Sequence, residues 1–578
     1  MDQLIIERDV PLTMDDGLVL RADVFRPKSE RPAPVIMTLG PYGKGLRYSV
    51  GYAGQWAWMM KNHPDLLPGS THEFMNWETV DPEIWVPWGY VCVRVDSRGA
   101  GRSPGLMDLM SEREILDFYH AIEWAGTQPW SSGKVGLSGI SYYAINQWRV
   151  ASLQPPHLTA MIPWEGAADS YRDNSRQGGI ASNAYYDVWY RKQIELLQHG
   201  NPRSYLDPWL KDLVTGPDIL TDAELAKLRK VHLLELLARP LDDEYYRNRS
   251  PIWERVTVPF LSAGNWGGWG QHGRGNTEGY VRAASKQKWL QIHPGRHEEW
   301  FYLDQGVALQ KRFLDHFLKG EDNGWDKEPP VLLHIRRPFS EDFPLRKENA
   351  WPLPSTKWTT FYLDAADNEA KIKAQPAANV TSLAFEALGT PLTFRTAPIP
   401  TETEITGPLS AKIYASSTTT DMDLFLTLQA FSADGIEVDF QGAIDPHTPL
   451  SQGCLRASHR KLDTKLTKPY RPYHTHDEEQ PLEPGKIYEL DIELWPTCII
   501  LPAGFTLSLQ IAGKDFEREV PDGLNEAWVS KGSGPFLHND PYDRPVEKFG
   551  GKTTIYTGGE TTSTLLLPII APRVDETA

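Results

Sequence analysis

The apolar positions fall into two regimes. Near the start, Leu4-Ile5-Ile6 and Val10-Pro11-Leu12 lead into Asp15-Asp16-Gly17, after which Leu18 to Phe25 resumes the alternation. Asp-Gly between alternating segments predicts a β-hairpin. Pro34–Leu39 and Tyr90–Asp96 are short, nearly unbroken apolar runs, as expected of strands buried on both faces. Between them, Gly40–Gly89 is rich in Trp, Tyr, Pro and Met, and a connection that long is usually part of a functional wall. Ile115, Phe118, Tyr119, Ile122 and Ala125 recur at helical spacing. Lys134–Ser138 reads as a strand, 142–152 as a helix and His157–Pro163 as a strand again. This alternation predicts a mostly parallel sheet with helices on both faces.

From 170 to 250 strand patterns stop. Val188 to Leu197 is amphipathic, and Thr221 with Glu224 forms a capping box opening a helix with Leu225, Leu228, Val231 and Leu234 inward. Strands return at Val258–Ala263 and Trp289–Ile292, followed by a helix over Tyr302–Leu318. After Pro329-Pro330 the chain becomes rich in Thr, Pro and Gly, with short alternating segments such as Phe505 to Gln510. That pattern predicts an all-β sandwich or jelly roll. The expected division is 1–169 and 251–340 for the two parts of an α/β core, 170–250 for a helical cap and 341–578 for the β domain.

Composition narrows the function. Of the 578 residues 40% are hydrophobic and 23% charged, which fits a packed globular chain. Lys and Arg number 59 against 76 Asp and Glu, a net charge of −17. That leaves no surplus cation for nucleic acid or an anionic membrane. Cys92, Cys454 and Cys498 make neither a disulfide framework nor a CxxC zinc pair. No run of 18 apolar residues occurs and Met1–Asp9 lacks the pattern of a signal peptide, so a cytoplasmic location is expected. The chain has 21 Trp and 23 Tyr, a supply of aromatic wall for an apolar pocket.

The first chemical candidate is Gly139-Ile140-Ser141-Tyr142, directly after a buried strand and at the start of a helix. A serine on that turn is thrust out of the sheet, and the next backbone N–H, that of Tyr142, points where an oxyanion forms. The usual second glycine is absent; Tyr143 occupies its place. Ser141 also suits a helix N-cap. In an α/β-hydrolase order the base follows the last strand, which selects His297 in His293-Pro294-Gly295-Arg296-His297, with His293 as the local competitor.

Several separated segments carry a resemblance. They are Pro41-Tyr42-Gly43-Lys44, Asp96 to Ser103, Gly139 to Tyr142 with Gln147-Trp148, and Arg312 to Gly320. In the β region they are Ile405-Thr406-Gly407, Asp421 to Leu424, Gly453 to Ser458 and Pro484 to Tyr488. On these the chain resembles the cocaine esterase and X-Pro dipeptidyl-peptidase group of serine hydrolases, the CocE/NonD or peptidase S15 family. The resemblance implies an α/β-hydrolase domain, a helical cap, a C-terminal jelly roll, no cofactor or metal, and a homodimer. It implies Ser141 as nucleophile, His297 as general base and the Tyr42 hydroxyl in the oxyanion hole.

The acid departs from the family pattern. Where a Trp-x-Asp segment is expected, the chain reads Asn265-Trp266-Gly267-Gly268-Trp269, with Gly268 in the aspartate's place. Glu165, at the end of the strand after the Ser141 helix, is the candidate replacement, because that strand end lies near the histidine loop in a parallel sheet. Asp169, Glu278 and Glu298 remain alternatives. Trp56, Trp58, Trp77, Trp85 and Trp88 from the long segment, with Trp164, Trp266, Trp269 and Trp189, are candidate pocket walls, closed by Tyr185, Tyr186 and Tyr190.

The expected activity is hydrolysis of a small-molecule ester or lactone through an acyl-enzyme. X-Pro dipeptidyl-peptidase or amide hydrolysis, acyl transfer, and a binding protein on a decayed hydrolase frame stand as alternatives.

Overall fold

The computed structural model describes residues 4–183, 189–518 and 537–571. A ten-stranded sheet carries the first half. Its strands include β1 (Leu4–Thr13), β2 (Val19–Pro27), β3 (Ala33–Gly40), β4 (Val91–Asp96), β5 (Ser131–Ile140) and β6 (Leu158–Trp164). They lie in the order β1-β2-β4-β3-β5-β6 and continue through Phe260–Asn265, Lys288–His293, Val331–His334 and Leu345–Glu348. From β4 to Val331–His334 every neighbour is parallel, and antiparallel pairs close both edges.

The predicted hairpin is β1–β2, with a register shift between Glu7 and Val10. The helix at Glu112–Gly126 buries Ile115, Phe118, Ile122 and Ala125, the stripe its spacing marked, and Ser111 caps its first turn.

Strand register fixes where chemistry gathers. Ile140 pairs with Trp164, Ala263 with Trp164, and Asn265 with His293. The C-terminal ends of four adjacent parallel strands therefore stand level, and the loops leaving them converge on one edge, where open α/β sheets place their ligands.

The 170–250 region differs from its reading in detail. Two-residue strand pairs occur at Arg176–Gln177 with Ile180–Ala181 and at Leu206–Asp207 with Asp212–Leu213. The helix opened by the Thr221–Glu224 capping box stops at Lys227, and a second begins at His232. Leu234, expected inward, lies on the second helix and is 63% exposed; nine residues after the buried Leu225, it would face the opposite side even of an unbroken helix. Tyr185 and Tyr186 lie outside the described residues.

The C-terminal half forms a twelve-stranded β assembly over Thr356–Ile570 around its own apolar core. It packs on the first sheet through a separate cluster that includes Trp266, Trp269, Leu290, Ile292, Trp351 and Cys498. One contact reaches the converging loops: His297 N–H donates to the Ala443 carbonyl at 2.9 Å, and a side chain at Gly267 would lie 2.3 Å from Gly442 Cα.

Candidate active site

Ser141 follows β5 and precedes the helix Tyr142–Ala151 with φ 56° and ψ −114°. A non-glycine residue held at positive φ carries strain that the surroundings must maintain. Here the Ser141 N–H donates to the Trp164 carbonyl at 3.1 Å, and its carbonyl accepts from Ala144 and Ile145 N–H. The sharp turn tolerates Tyr143 in place of a glycine because the glycines lie elsewhere. A side chain at Gly40 would meet the Tyr143 ring at 2.5 Å, and one at Gly139 would meet Tyr143 Cβ at 2.6 Å.

Tyr42 leaves β3 on the same edge and is 1% exposed. Trp189 Nε1–H donates to its hydroxyl at 3.2 Å. A bond accepted at a phenol oxygen strengthens the same hydroxyl as a donor. The loop carrying Tyr42 is fastened through Lys44, whose backbone N–H and ammonium reach Asp96 at 2.6 and 3.1 Å. Burial disfavours that ammonium, yet Asp96, Asp23 and Asp9 together hold its pKa above the ordinary value. The Asp96–Ser103 motif thus braces the Tyr42 loop: a side chain at Gly101 would collide with the Asp96 carboxylate. The Tyr142 hydroxyl donates to Glu114 at 2.6 Å, so its phenol is engaged there, while its ring lines the cavity and its backbone N–H follows Ser141 directly in the chain.

The histidines carry the main departure from the expected layout. Glu165 Oε2 accepts from His297 Nδ1 at 2.6 Å, and its Oε1 accepts from Asn265 Nδ2 at 3.1 Å. Asp169, Glu278 and Glu298 are engaged elsewhere, with Arg172, Arg471 and the Tyr48 hydroxyl respectively. His293 bonds the Pro294 carbonyl, and burial pushes its pKa down to about 3.

His297 Nε2 does not meet Ser141. It faces Glu78 Oε1 at 3.1 Å. Ser141 Oγ instead lies 3.1 Å from Nε2 of His272, whose ring stacks on His297 with centroids 5.3 Å apart. His272 comes from a single π-helical turn, Trp269–Gly273, that follows Gly268; the Gly268 carbonyl accepts from both the His272 and Gly273 N–H. Single π turns of this kind are enriched at functional sites. The turn closes tightly because Gly273 has no side chain to strike the Trp269 ring, 2.6 Å away.

Sequence reasoning missed both His272 and Glu78. The one signal for His272 was its place four residues after the absent aspartate.

The electrostatics separate the two imidazoles. Burial works against charge on His297, but Glu165 and Glu78 override it and hold its pKa at about 10. Burial, reinforced by the His297 charge, drives His272 well below the usual range. Burial raises Glu78 to about 7 against the pull of His297, and raises Glu165 likewise.

Of the predicted pocket residues, Trp189 lines the cavity beside Ser141, together with Tyr42 and Tyr142. Trp164 does not: it is fully buried against His293 and Phe301. Trp266 and Trp269 belong to the cluster under the β domain, where Trp266 Nε1–H donates to the His334 carbonyl. From the long segment, Trp77 stacks on Tyr52 and the buried Trp85 packs on Tyr90, so these rings form core behind the site. Among the described residues no cluster of His, Cys, Asp and Glu has the makings of a metal site.

Residues 16–299 match the X-Pro dipeptidyl-peptidase (S15) family, and residues 323–566 match the C-terminal non-catalytic domain of X-Pro dipeptidyl-peptidases. A CocE/NonD family hydrolase from Staphylococcus aureus superposes with TM-score 0.82 at 30% identity, covering 98% of this chain and 94% of that one. The cocaine esterase of Rhodococcus is 23% identical, with 98% of each chain covered. An α-amino-acid ester hydrolase shares the fold, with TM-score 0.67 at 17% identity over 98% of this chain and 97% of that one.

Proposed function

We propose, because this chain belongs to the CocE/NonD family of serine hydrolases, that it cleaves carboxylic esters through an acyl-enzyme on Ser141. The observation that supports this reading is the strained Ser141 turn, with its hydroxyl 3.1 Å from an imidazole nitrogen. Ser141 Oγ attacks the ester carbonyl while its proton passes to His272 Nε2. The Tyr42 hydroxyl and the Tyr142 N–H receive the negative oxygen. His272 then returns the proton to the leaving alcohol, and water repeats the cycle on the acyl-enzyme.

His272 suits the accepting role because burial keeps it neutral, whereas His297, held charged by Glu165 and Glu78, has no lone pair to offer. When His272 takes the proton, two stacked imidazolium ions face two carboxylates. An ester is favoured over a substrate with a free amino terminus, since no carboxylate lines the Ser141 cavity among the described residues.

A second assignment of the base, His297 with Glu165 as the acid, has the 2.6 Å bond between them in its favour. It requires His297 to leave Glu78 for Ser141.

Hydrolysis of p-nitrophenyl acetate tests both. Ser141→Ala is expected to lose the activity and fluorophosphonate labelling. His272→Asn is expected to lose turnover by on the order of 10² or more, the scale of a general base. A larger loss in His297→Asn than in His272→Asn reverses the base assignment, and full activity in Ser141→Ala ends the reading.

A further inference from the structure

The cleft beside Ser141 holds about 550 Å³ of space, part of it open to solvent. Leu109, Met110, Ile145 and the Ala167–Ala168 pair give it an apolar wall, which Asn174, His232 and Arg249 interrupt. Arg249 is the charged exception among its described lining residues, and it is 8% exposed. A buried guanidinium at an apolar cavity calls for an explanation.

Arg249 is fixed in place. Its Nη2 donates to Asp108 Oδ1 at 2.7 Å, its Nη1 to the Tyr245 carbonyl at 3.2 Å, and its Nε to the Leu109 carbonyl at 3.3 Å. Its guanidinium carbon stands 3.7 Å over the Tyr245 ring. Those bonds use three of the five N–H groups a guanidinium carries. Nor is Asp108 its counter-ion alone: Lys230 Nζ holds the other carboxylate oxygen at 3.1 Å. Two cations therefore share that carboxylate, and the charge of Arg249 is felt on the cavity side. The neighbouring His232 registers it, since burial together with the Arg249 charge depresses its pKa to about 3. Arg249 thus brings a pre-oriented cation to the cavity that Ser141 opens onto, and Asn174 adds a side-chain amide to the same lining.

We propose that the ester this enzyme takes carries an anion, a carboxylate on its acyl chain, and that Arg249 selects it. A planar guanidinium is matched to a carboxylate, and its rigid mounting lowers the ordering cost of binding. This rests on the ester-hydrolase reading and adds the substrate class to it.

The test compares p-nitrophenyl hemiesters of succinate, glutarate and adipate with p-nitrophenyl butyrate, each over its buffer blank. The wild type is expected to favour at least one hemiester tenfold or more in kcat/KM. Arg249→Met is expected to bring that ratio near one through KM, and Arg249→Lys to keep part of it. A measurement on the wild type alone guards against misfolded variants: glutarate is expected to slow fluorophosphonate labelling of Ser141, and glutaramide at equal concentration is not. If Ser141 does not label, the ester-hydrolase reading falls and takes this one with it. If Ser141 labels but glutarate protects no better than glutaramide, and butyrate equals the hemiesters, the substrate class alone is overturned.

Discussion

The two sides of the Ser141 cleft are built on different principles. On the Ser141 side, backbone geometry does the positioning. The Ser141 turn is set by strand register, by two glycines that make room for Tyr143, and by N–H groups whose direction follows from the helix they start. On the histidine side, side-chain charge does it: Glu165, His297 and Glu78 form a buried chain of contacts at 2.6 and 3.1 Å, stacked under His272. A backbone device depends on local sequence and tolerates few alternatives. A charge device can move between strand ends, because any loop on the same sheet edge can deliver a carboxylate. Glu165, from a different strand end than the Trp-x-Asp pattern would use, accordingly meets His297.

The sharpest way to break this contrast is to remove the moved carboxylate. Glu165→Gln keeps shape and an oxygen acceptor but withdraws the charge that holds His297. Glu165 bonds His297 and not His272: with His297 as base, turnover falls by about 10² to 10⁴, the range seen when a histidine loses its orienting acid, and with His272 as base it falls less. Steady-state kinetics on a p-nitrophenyl ester reads it. Full activity would make Glu165 a structural carboxylate and leave the histidine side without its organising charge. On the other side, Tyr42→Phe removes one hydroxyl and leaves the ring packing of Tyr42 against Tyr142 and Tyr143 in place. The expected loss is about 10² in kcat, the value of one oxyanion donor. An unchanged kcat would assign the phenol to holding Trp189.

The same contrast explains which features were legible in the sequence. The parallel strands, the Ser141 turn and the placing of Glu165 near the histidine loop all follow from local pattern plus sheet geometry, which run along the chain. Five rings were misplaced or undecidable for a common reason: Trp164, Trp266, Trp269, Trp77 and Trp85 are apolar whichever surface they cover, and only the packing of the β domain and the long segment decides which. Leu234 lies nine residues after the buried Leu225, half a turn round even an unbroken helix, so a strict three-residue repeat drifts to the outer face, and the helix ends at Lys227 in any case. His272 is one of sixteen histidines, and its approach to Ser141 depends on one π-helical turn. Glu78 lies in the segment between β3 and β4, whose path is set by distant groups: Arg94 bonds the Phe74 and Val80 carbonyls, and the Tyr302 hydroxyl bonds those of Asn76 and Thr79.

The smallest expected effect sharpens the charge side most. Glu78 is fully buried, its Oε1 faces His297 Nε2, and burial raises its pKa from the ordinary carboxylate range to about 7. Below that pH Glu78 is neutral, and proton transfer to His272 leaves two imidazolium ions facing one carboxylate. Above it, a second carboxylate balances the pair. The developing charge on His272 is therefore better stabilised on the alkaline side, and kcat/KM is expected to rise severalfold as pH passes through about 7. In Glu78→Gln the rise disappears and the rate stays near its acid-side level, because the amide bonds but never ionises. The pH profile of each protein on one neutral ester decides it. If the Gln variant keeps the rise, another group titrates near 7 and Glu78 only spaces His297 from Ser141. If the rate instead increases across the whole range, Glu78 was holding His297 away from the serine, and the base assignment passes to His297.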